Sequence, residues 1–590
     1  GLTLGDVLKQ VRADQISSRA HEHTPLTEIR KQLDVPPTRQ IFESVVMFDN
    51  ATLDAQLKAL GADWADRDVE LLEEGDTPIT VAAYSGPQLR IDFEFDPAQV
   101  PGGDRLGAQL IQFLAALETA EPETQMAMIS FLSSDEMSTM YDLAGASAED
   151  DAFFSCIDRF EQSALVYPDK IAVLQPEQEP MTYAALDAAA NSLAHELIKA
   201  NVGVGDIVGI CIARSAAFIT AMLATWKAGA AFVPLDPSYP VDTLNIIVKD
   251  SAARLVLADD TAPNVSAETL VINQNTALAR SADKPKRSEM EPDQPAYVIF
   301  TSGTAGRPKG VMVSHRSLAS HSAAVDPLFE LSPEDRVLQF AALSFDVALE
   351  EIVPTLLSGA TLVLRSDEMS RSIDVFLKVC RDLKTTVINL PTGFWVVLTE
   401  ELDSRDLQFP PLVRLVIVGG ERVPLSVLRR WRKRLPDIRW INGYGPTETT
   451  ITCTAYSVIA SDLDGDSVPI GRPLAHARAW VLSRDGALQS EGVEGQLFIS
   501  GPAVALGYMN DPVRTAQSFL TAEFDPDIGR IYATGDRVIW RDGQLLYLGR
   551  MDRQIKLRGF RIEPGQIERT LESQEGVDRA YAALHTPQNG

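Results

Sequence analysis

From about Phe153 onward, short β-branched apolar runs alternate with segments of helical period, and this alternation constrains the fold more than any other feature. Tyr297–Phe300, Thr386–Leu390, Arg414–Val418 and Gln496–Ser500 are strand candidates. Between them lie helical patterns such as Leu186, Ala190, Leu193 and Leu197, with Thr182 placed as an N-cap. Strands that alternate with helices are joined by crossovers rather than hairpins, so they line up in parallel under covering helices. A layered α/β core with largely parallel sheets is expected. One hairpin is expected near the end, where Val538–Trp540 and Leu545–Leu548 flank the turn pair Asp542-Gly543.

The preceding segment has another texture. Leu4, Val7, Leu8 and Val11 fall on one helical face, Leu89 to Phe95 alternates apolar with charged residues as a half-buried strand does, and Leu106 to Leu117 returns to a helical period. An acidic, small-residue stretch, Ser133 to Asp151, reads as a linker. The chain starts at Gly1 inside a helical pattern and reads as a piece of a longer polypeptide.

Charge narrows the function classes. Fifty-three basic against 82 acidic side chains give a net charge of −29. That argues against a nucleic-acid partner and against an anionic membrane surface. The longest apolar stretch, Ser215 to Trp226, is too short to span a bilayer. Cys156, Cys211, Cys380 and Cys453 lie far apart and read as buried thiols of a reducing compartment, so a cytoplasmic location is expected.

Chemistry first shows at Thr301-Ser302-Gly303-Thr304-Ala305-Gly306-Arg307-Pro308-Lys309-Gly310, directly after an apolar strand. Glycines admit a phosphate close to the backbone, hydroxyls and N–H groups donate to its oxygens, and Lys309 adds a point charge. It is not a Walker loop, because Pro308 precedes Lys309 and Gly310 follows it.

With its strand, YVIFTSGTAGRPK resembles the phosphate-loop signature of adenylate-forming enzymes, and further signatures follow in family order. They are WKAGAAFVPLD (Trp226–Asp236, ahead of the loop), SFDVALEE (Ser344–Glu351), NGYGPTE (Asn442–Glu448), YATGD (Tyr532–Asp536) and GRMDRQIKLRGFRIEPGQIE (Gly549–Glu568). The SFDVALEE and NGYGPTE blocks resemble the adenylation domains of nonribosomal peptide synthetases more closely than acyl-CoA synthetases. The resemblance implies ATP and Mg²⁺ as cofactors. Thr301, Ser302, Gly303, Thr304, Gly306 and Lys309 would hold phosphates, and Glu448 the metal. Asn442 would meet the adenine edge and Tyr444 would stack on the ring, with Gly443, Gly445 and Thr447 beside them. Asp536 would accept from the ribose hydroxyls with Arg550 nearby. His315 would sit by the reacting carboxylate, a core histidine being the alternative; with Glu448, Thr301 and Lys309 it completes the catalytic set.

Asp346 matches the acid that pairs with a substrate α-ammonium, which separates amino-acid activation from fatty-acid activation. On the family's pocket pattern the wall is Val347, Glu350, Asn389, Ile417, Gly419, Gly443, Ile451 and Thr452. Glu350 puts a second negative charge inside and the glycines leave room, so a long amino acid with a distal amine is expected, of ornithine or lysine type or a modified ornithine. The alternative is that Glu350 faces away or pairs with a protein residue.

A second resemblance lies at the start. HEHTPLTEIR (His21–Arg30) and FESVVMFDN (Phe42–Asn50) are similar to the carboxy-terminal lobe of a condensation domain, without that family's catalytic histidine motif. The expected organisation is an α+β condensation lobe at 1–135, a linker at 136–152, an adenylation core at 153–551 and an incomplete mobile lobe at 552–590, hinged at Asp552. Three departures stand out: Ala305 replaces a threonine, Leu506 an arginine, and Pro564-Gly565-Gln566 a Leu-Gly-Glu. The family's mobile-lobe lysine has no match before Gly590, nor is there a carrier-domain serine motif, so the intact protein is expected to continue or this piece to be impaired. The resemblance implies aminoacyl-AMP formation for loading onto the phosphopantetheine thiol of a carrier domain in secondary-metabolite, for instance siderophore, biosynthesis. A free-standing acyl- or aryl-acid CoA ligase and a silent interaction module are the rivals.

Overall fold

The computed structural model describes residues 2–33, 41–49, 57–61, 77–85, 88–100, 103–145, 153–272, 283–286, 290–301, 308–458, 465–557, 560–562, 564–572, 574 and 577–584. The chain divides into two units, Gly1–Met137 and Ser138–Gly590.

The first unit carries a three-stranded sheet of Ser44–Asp49, Ile79–Tyr84 and Arg90–Phe95, the first pair parallel and the second antiparallel. Helices Leu4–Ser18 and Gly103–Thr119 fall where their periods put them. Thr3 and Asp6 form a reciprocal capping box on the first helix. Its apolar face is mostly uncovered: Leu4 is buried but Leu8 and Val11 are exposed. The stretch read as a linker is helical over Ser134–Ala144, with Met140 and Ala144 buried. Ser133 and Glu136 cap this helix reciprocally, which the acidity of the segment conceals. Residues 146–152 lie outside the described part.

In the second unit the site depends on ten elements: β1 (Pro295–Thr301), β2 (Lys309–Ser314), α1 (His315–Phe329), α2 (Val347–Leu357), β3 (Val387–Pro391), β4 (Leu415–Gly419), β5 (Arg439–Tyr444), β6 (Gly507–Tyr508), β7 (Arg530–Arg541) and β8 (Gln544–Arg550). A seven-stranded sheet runs β6-β2-β1 and on through Ala231–Pro234, Ile207–Cys211, Leu255–Ala258 and Thr269–Val271. Only its β6-β2-β1 edge is antiparallel. A nine-stranded sheet has β5, β4 and β3 side by side in a parallel run closed by antiparallel edges. These sheets meet the parallel expectation. The third does not: Arg478–Leu482, Glu494–Ser500, β7, Phe519–Thr521 and β8 pair antiparallel throughout, because no covering helix separates successive strands in most of this region.

Local signals hold where they were specific. Thr182 caps Tyr183–Lys199, accepting from the Ala185 N–H. Asp542 and Gly543 both take positive φ, 51° and 67°, in the hairpin joining β7 to β8. Helix Ala216–Lys227 is buried nearly all round; its fully buried Lys227 pairs with Glu161 at 2.6 Å and Asp187 at 2.8 Å. All four cysteines are buried and in no disulfide. No described helix is long and apolar enough to cross a membrane.

Candidate active site

β1 and β2 pair antiparallel with Thr301 opposite Lys309, so the phosphate-loop segment leaves one strand and returns into its neighbour. Ser302, Gly303, Thr304 and Gly306 lie outside the described residues. At the loop's base the Thr301 hydroxyl is buried and has no hydrogen-bond partner among the described residues. Lys309 donates to Glu448 Oε1 at 2.6 Å and to the Tyr508 hydroxyl at 3.0 Å, and Tyr508 donates to the same Oε1 at 2.8 Å. Glu448 is fully buried in the short turn Thr447–Thr449. Burial and the Glu448 charge push the Tyr508 hydroxyl well up, so it stays neutral and serves as acceptor and donor at once. Tyr508 escaped the sequence reading; β6 brings it here by pairing Tyr508 with Val311 on β2.

A second cluster sits on the β7–β8 hairpin, where Asp536 pairs in register with Arg550. Asp536 is buried, accepting from the Tyr444 hydroxyl at 2.5 Å and from Arg550 Nη1 at 3.0 Å. Arg550 also donates to Asp552 at 2.9 and 2.6 Å, which raises its pKa and ties the ribose candidate to the hinge candidate. Asn442 donates to the Pro469 carbonyl at 2.7 Å. Beside these groups opens a cleft of about 540 Å³ lined by Gly420, Asn442, Tyr444, Arg550 and Asp552. Its size and mixed lining suit a nucleotide.

The third cluster is the pocket wall. Asp346 stands at the N-terminus of α2 with Val347 next and Glu350 one turn on. β3, β4 and β5 align Asn389 with Ile417 and Gly419 with Gly443. Asp346 is buried, and its Oδ2 has no hydrogen-bond partner among the described residues. Burial, helped by the Glu350 and Glu448 charges, pushes its pKa up to about 6.

One stated alternative is met and one expectation is corrected here. Glu350 pairs with protein residues: Oε2 lies 3.0 Å from His321 Nε2 and Oε1 accepts from Asn389 at 2.9 Å. Gly419 does not open length. A side chain there would meet the Gly443 carbonyl oxygen at 2.7 Å, so the close approach of β5 demands the glycine. At Gly443 a Cβ would come 3.3 Å from Thr452 Oγ1, and at Gly445 it would collide with the Ile451 carbonyl. The chain turns sharply in between: Thr450 and Ile451 are consecutive β-branched residues at φ 54° and 69°. Such strain clusters at sites that use it. His315 begins α1, buried, its ring edge-on to Trp226 at 6.0 Å.

Comparison with known proteins sets this geometry in a family. The family model "AMP-binding enzyme" matches residues 160–509. A linear gramicidin synthase of Brevibacillus parabrevis is 35% identical over 99% of this chain, which spans only 11% of that relative's length. The AMPPNP-bound form of the nonribosomal peptide synthetase FmoA3 superposes with a TM-score of 0.80 at 26% identity, covering 93% of this chain and 60% of the other. NpsA-ThdA, an artificially fused adenylation-PCP di-domain from Klebsiella oxytoca, gives 0.67 at 26% identity, covering 74% and 80%.

Proposed function

This chain belongs to the AMP-binding enzyme family, with the adenylate-forming fold of nonribosomal peptide synthetase adenylation domains, and we propose that it joins an amino acid to ATP, giving aminoacyl-AMP and pyrophosphate. One observation carries the reading: a buried acid whose Oδ2 is unpartnered among the described residues, Asp346, stands at a helix start within reach of the Glu448 charge, in a unit that also holds a nucleotide-sized cleft. A buried carboxylate of this kind suits an α-ammonium, whose charge offsets the desolvation of both groups. The cleft would take the adenosine, with Asp536 and Tyr444 at one end, while Thr301, Lys309 and the loop between them hold the phosphates. Glu448 offers the carboxylate oxygen a hard cation needs; Mg²⁺ bound there would neutralise phosphate charge. With both anionic reactants oriented, the substrate carboxylate is placed for attack on the α-phosphorus.

The side chain accepted would be one that reaches Glu350 and Asn389 with a polar end, ornithine-like, because these two supply hydrogen-bonding groups on the proposed wall. The product would pass to a carrier-domain phosphopantetheine; the di-domain fold neighbour pairs such domains in that protein. The first unit is proposed as a condensation lobe and the location as cytoplasmic. Amino-acid-dependent ATP–pyrophosphate exchange tests the core reading, with a panel including acids that lack an α-amine. Exchange with those acids alone would replace it by the acyl- or aryl-acid ligase, and ATP binding without any exchange by the silent module.

Asp552 is proposed as the hinge of the mobile lobe. Its carboxylate holds Arg550 and accepts from the Gln554 N–H at 3.1 Å, so rotation there would be felt at the ribose site. Asp552→Pro is expected to slow thioester formation on a supplied carrier more than adenylate formation, with Asp552→Asn separating charge from backbone restraint. Equal losses in both half-reactions would remove the hinge.

A further inference from the structure

Behind the proposed pocket wall lies a histidine to which no motif points. His321, on α1, is fully buried, and its Nε2 lies 3.0 Å from Glu350 Oε2. Glu350's other oxygen accepts from Asn389 on β3, so two elements pin this carboxylate at a defined place. The imidazole has a further neighbour, His476, edge-on at 5.4 Å and 1% exposed. His321 Nδ1 and both nitrogens of His476 are buried without a hydrogen-bond partner among the described residues. Burial and the neighbouring His321 hold His476 well below its ordinary pKa, so it remains neutral. Three unpartnered buried ring nitrogens are a large cost for a purely structural packing.

We infer that His321 is a specificity-determining positioning residue: by holding Glu350 against α1, it turns a buried carboxylate into an oriented acceptor that selects a side chain whose far end donates a hydrogen bond. Each carboxylate oxygen has a second lone-pair direction beyond the bond it already makes. A distal N–H or O–H satisfies that direction whether or not it carries a charge. An apolar chain of equal length leaves it unmet, and unmet buried acceptors are what make such pockets discriminate. The inference rests on the amino-acid reading and names its substrate class: long amino acids ending in a donor, a neutral acylated or hydroxylated amine included.

The test uses the whole chain, with exchange kinetics and calorimetric amino-acid binding for ornithine, a neutral Nδ-acylated ornithine and norleucine. The native chain should prefer both donor-bearing substrates to norleucine. His321→Leu should cut that preference about 30-fold or more, through KM for the amino acid, in line with losing one partner of a buried hydrogen-bonded pair. KM for ATP should stay within about 2-fold, since uniform binding of the nucleotide is untouched. His321→Gln, which keeps an N–H at similar reach, should recover most of the preference. His321→Leu added to Glu350→Gln should cost little more than Glu350→Gln alone, as coupled residues do. Parallel losses for all three amino acids and ATP, or a native preference for norleucine, would overturn the assignment. Binding of ATP with none of the amino acids bound would overturn the amino-acid reading and the assignment with it.

Discussion

Glu448→Gln should lower ATP–pyrophosphate exchange by about 100- to 1000-fold, the range seen when one preorganised electrostatic group is removed from a transition state. The variant keeps the shape of the side chain and an oxygen for Tyr508, but it takes the countercharge from Lys309, whose side chain is only 10% exposed. Breaking a buried ion pair on one side leaves an uncompensated charge, at about 3–5 kcal/mol. Tyr508→Phe tests the same cluster from its neutral corner. It leaves Lys309 and Glu448 in contact but removes both hydrogen bonds of the Tyr508 hydroxyl, and should cost about 1–3 kcal/mol, still less than Glu448→Gln. Steady-state exchange with both variants, at saturating amino acid, checks the order. Glu448→Gln within tenfold of the native rate, or Tyr508→Phe the worse of the two, would show that charge at this cluster is not what the reaction draws on.

How much of this site the sequence disclosed depends on the range of the interaction. Asp542-Gly543 and Thr182 act within a few residues, and the backbone obeys them. Asp346, Glu448 and Asp536 were reachable because short motifs carry them. The partners that set their chemistry were not, since tertiary packing alone unites them: Tyr508 meets Glu448 across 60 residues and His321 meets Glu350 across 29. Hydrophobic period has the same blind spot. It located the helix Leu4–Ser18 but could not say that Leu8 and Val11 stay exposed. At Ser133 composition conceals a helix rather than a boundary. The division between the two units falls in this stretch, yet Asp135 and Glu136 lie in a first helical turn, where the helix dipole favours them. Gly419 shows a subtler failure, because an absent side chain can mean a cavity or a neighbour's backbone, and only coordinates distinguish them.

Asp346→Asn should make the protein more stable and nearly inactive. The carboxyl has an ordinary value of 3.8, and burial raises it to about 6 in the fold. The folded state therefore binds the proton more tightly than the unfolded chain does. The favourable contribution is complete below about pH 4 and is lost as pH rises through about 6, so at pH 8 the ionised Asp346 burdens the empty site. A shift of this size corresponds to about 2–3 kcal/mol, at 1.36 per unit. Asparagine does not titrate. Its variant should unfold at a higher temperature than the native chain at pH 8 and at nearly the same temperature at pH 4, both read by calorimetry without ligand. The burden is also what the substrate relieves, because an α-ammonium meeting the charged carboxylate offsets its desolvation. Amino-acid binding to the native chain should therefore weaken as pH falls through about 6, and Asp346→Asn should lose about 100- to 1000-fold in kcat/KM, as broken buried pairs do. Acids without an α-amine should be indifferent to the change. A variant less stable than the native chain at pH 8, or one that keeps its amino-acid preference, would mean that Asp346 is held for the fold and that another group receives the ammonium.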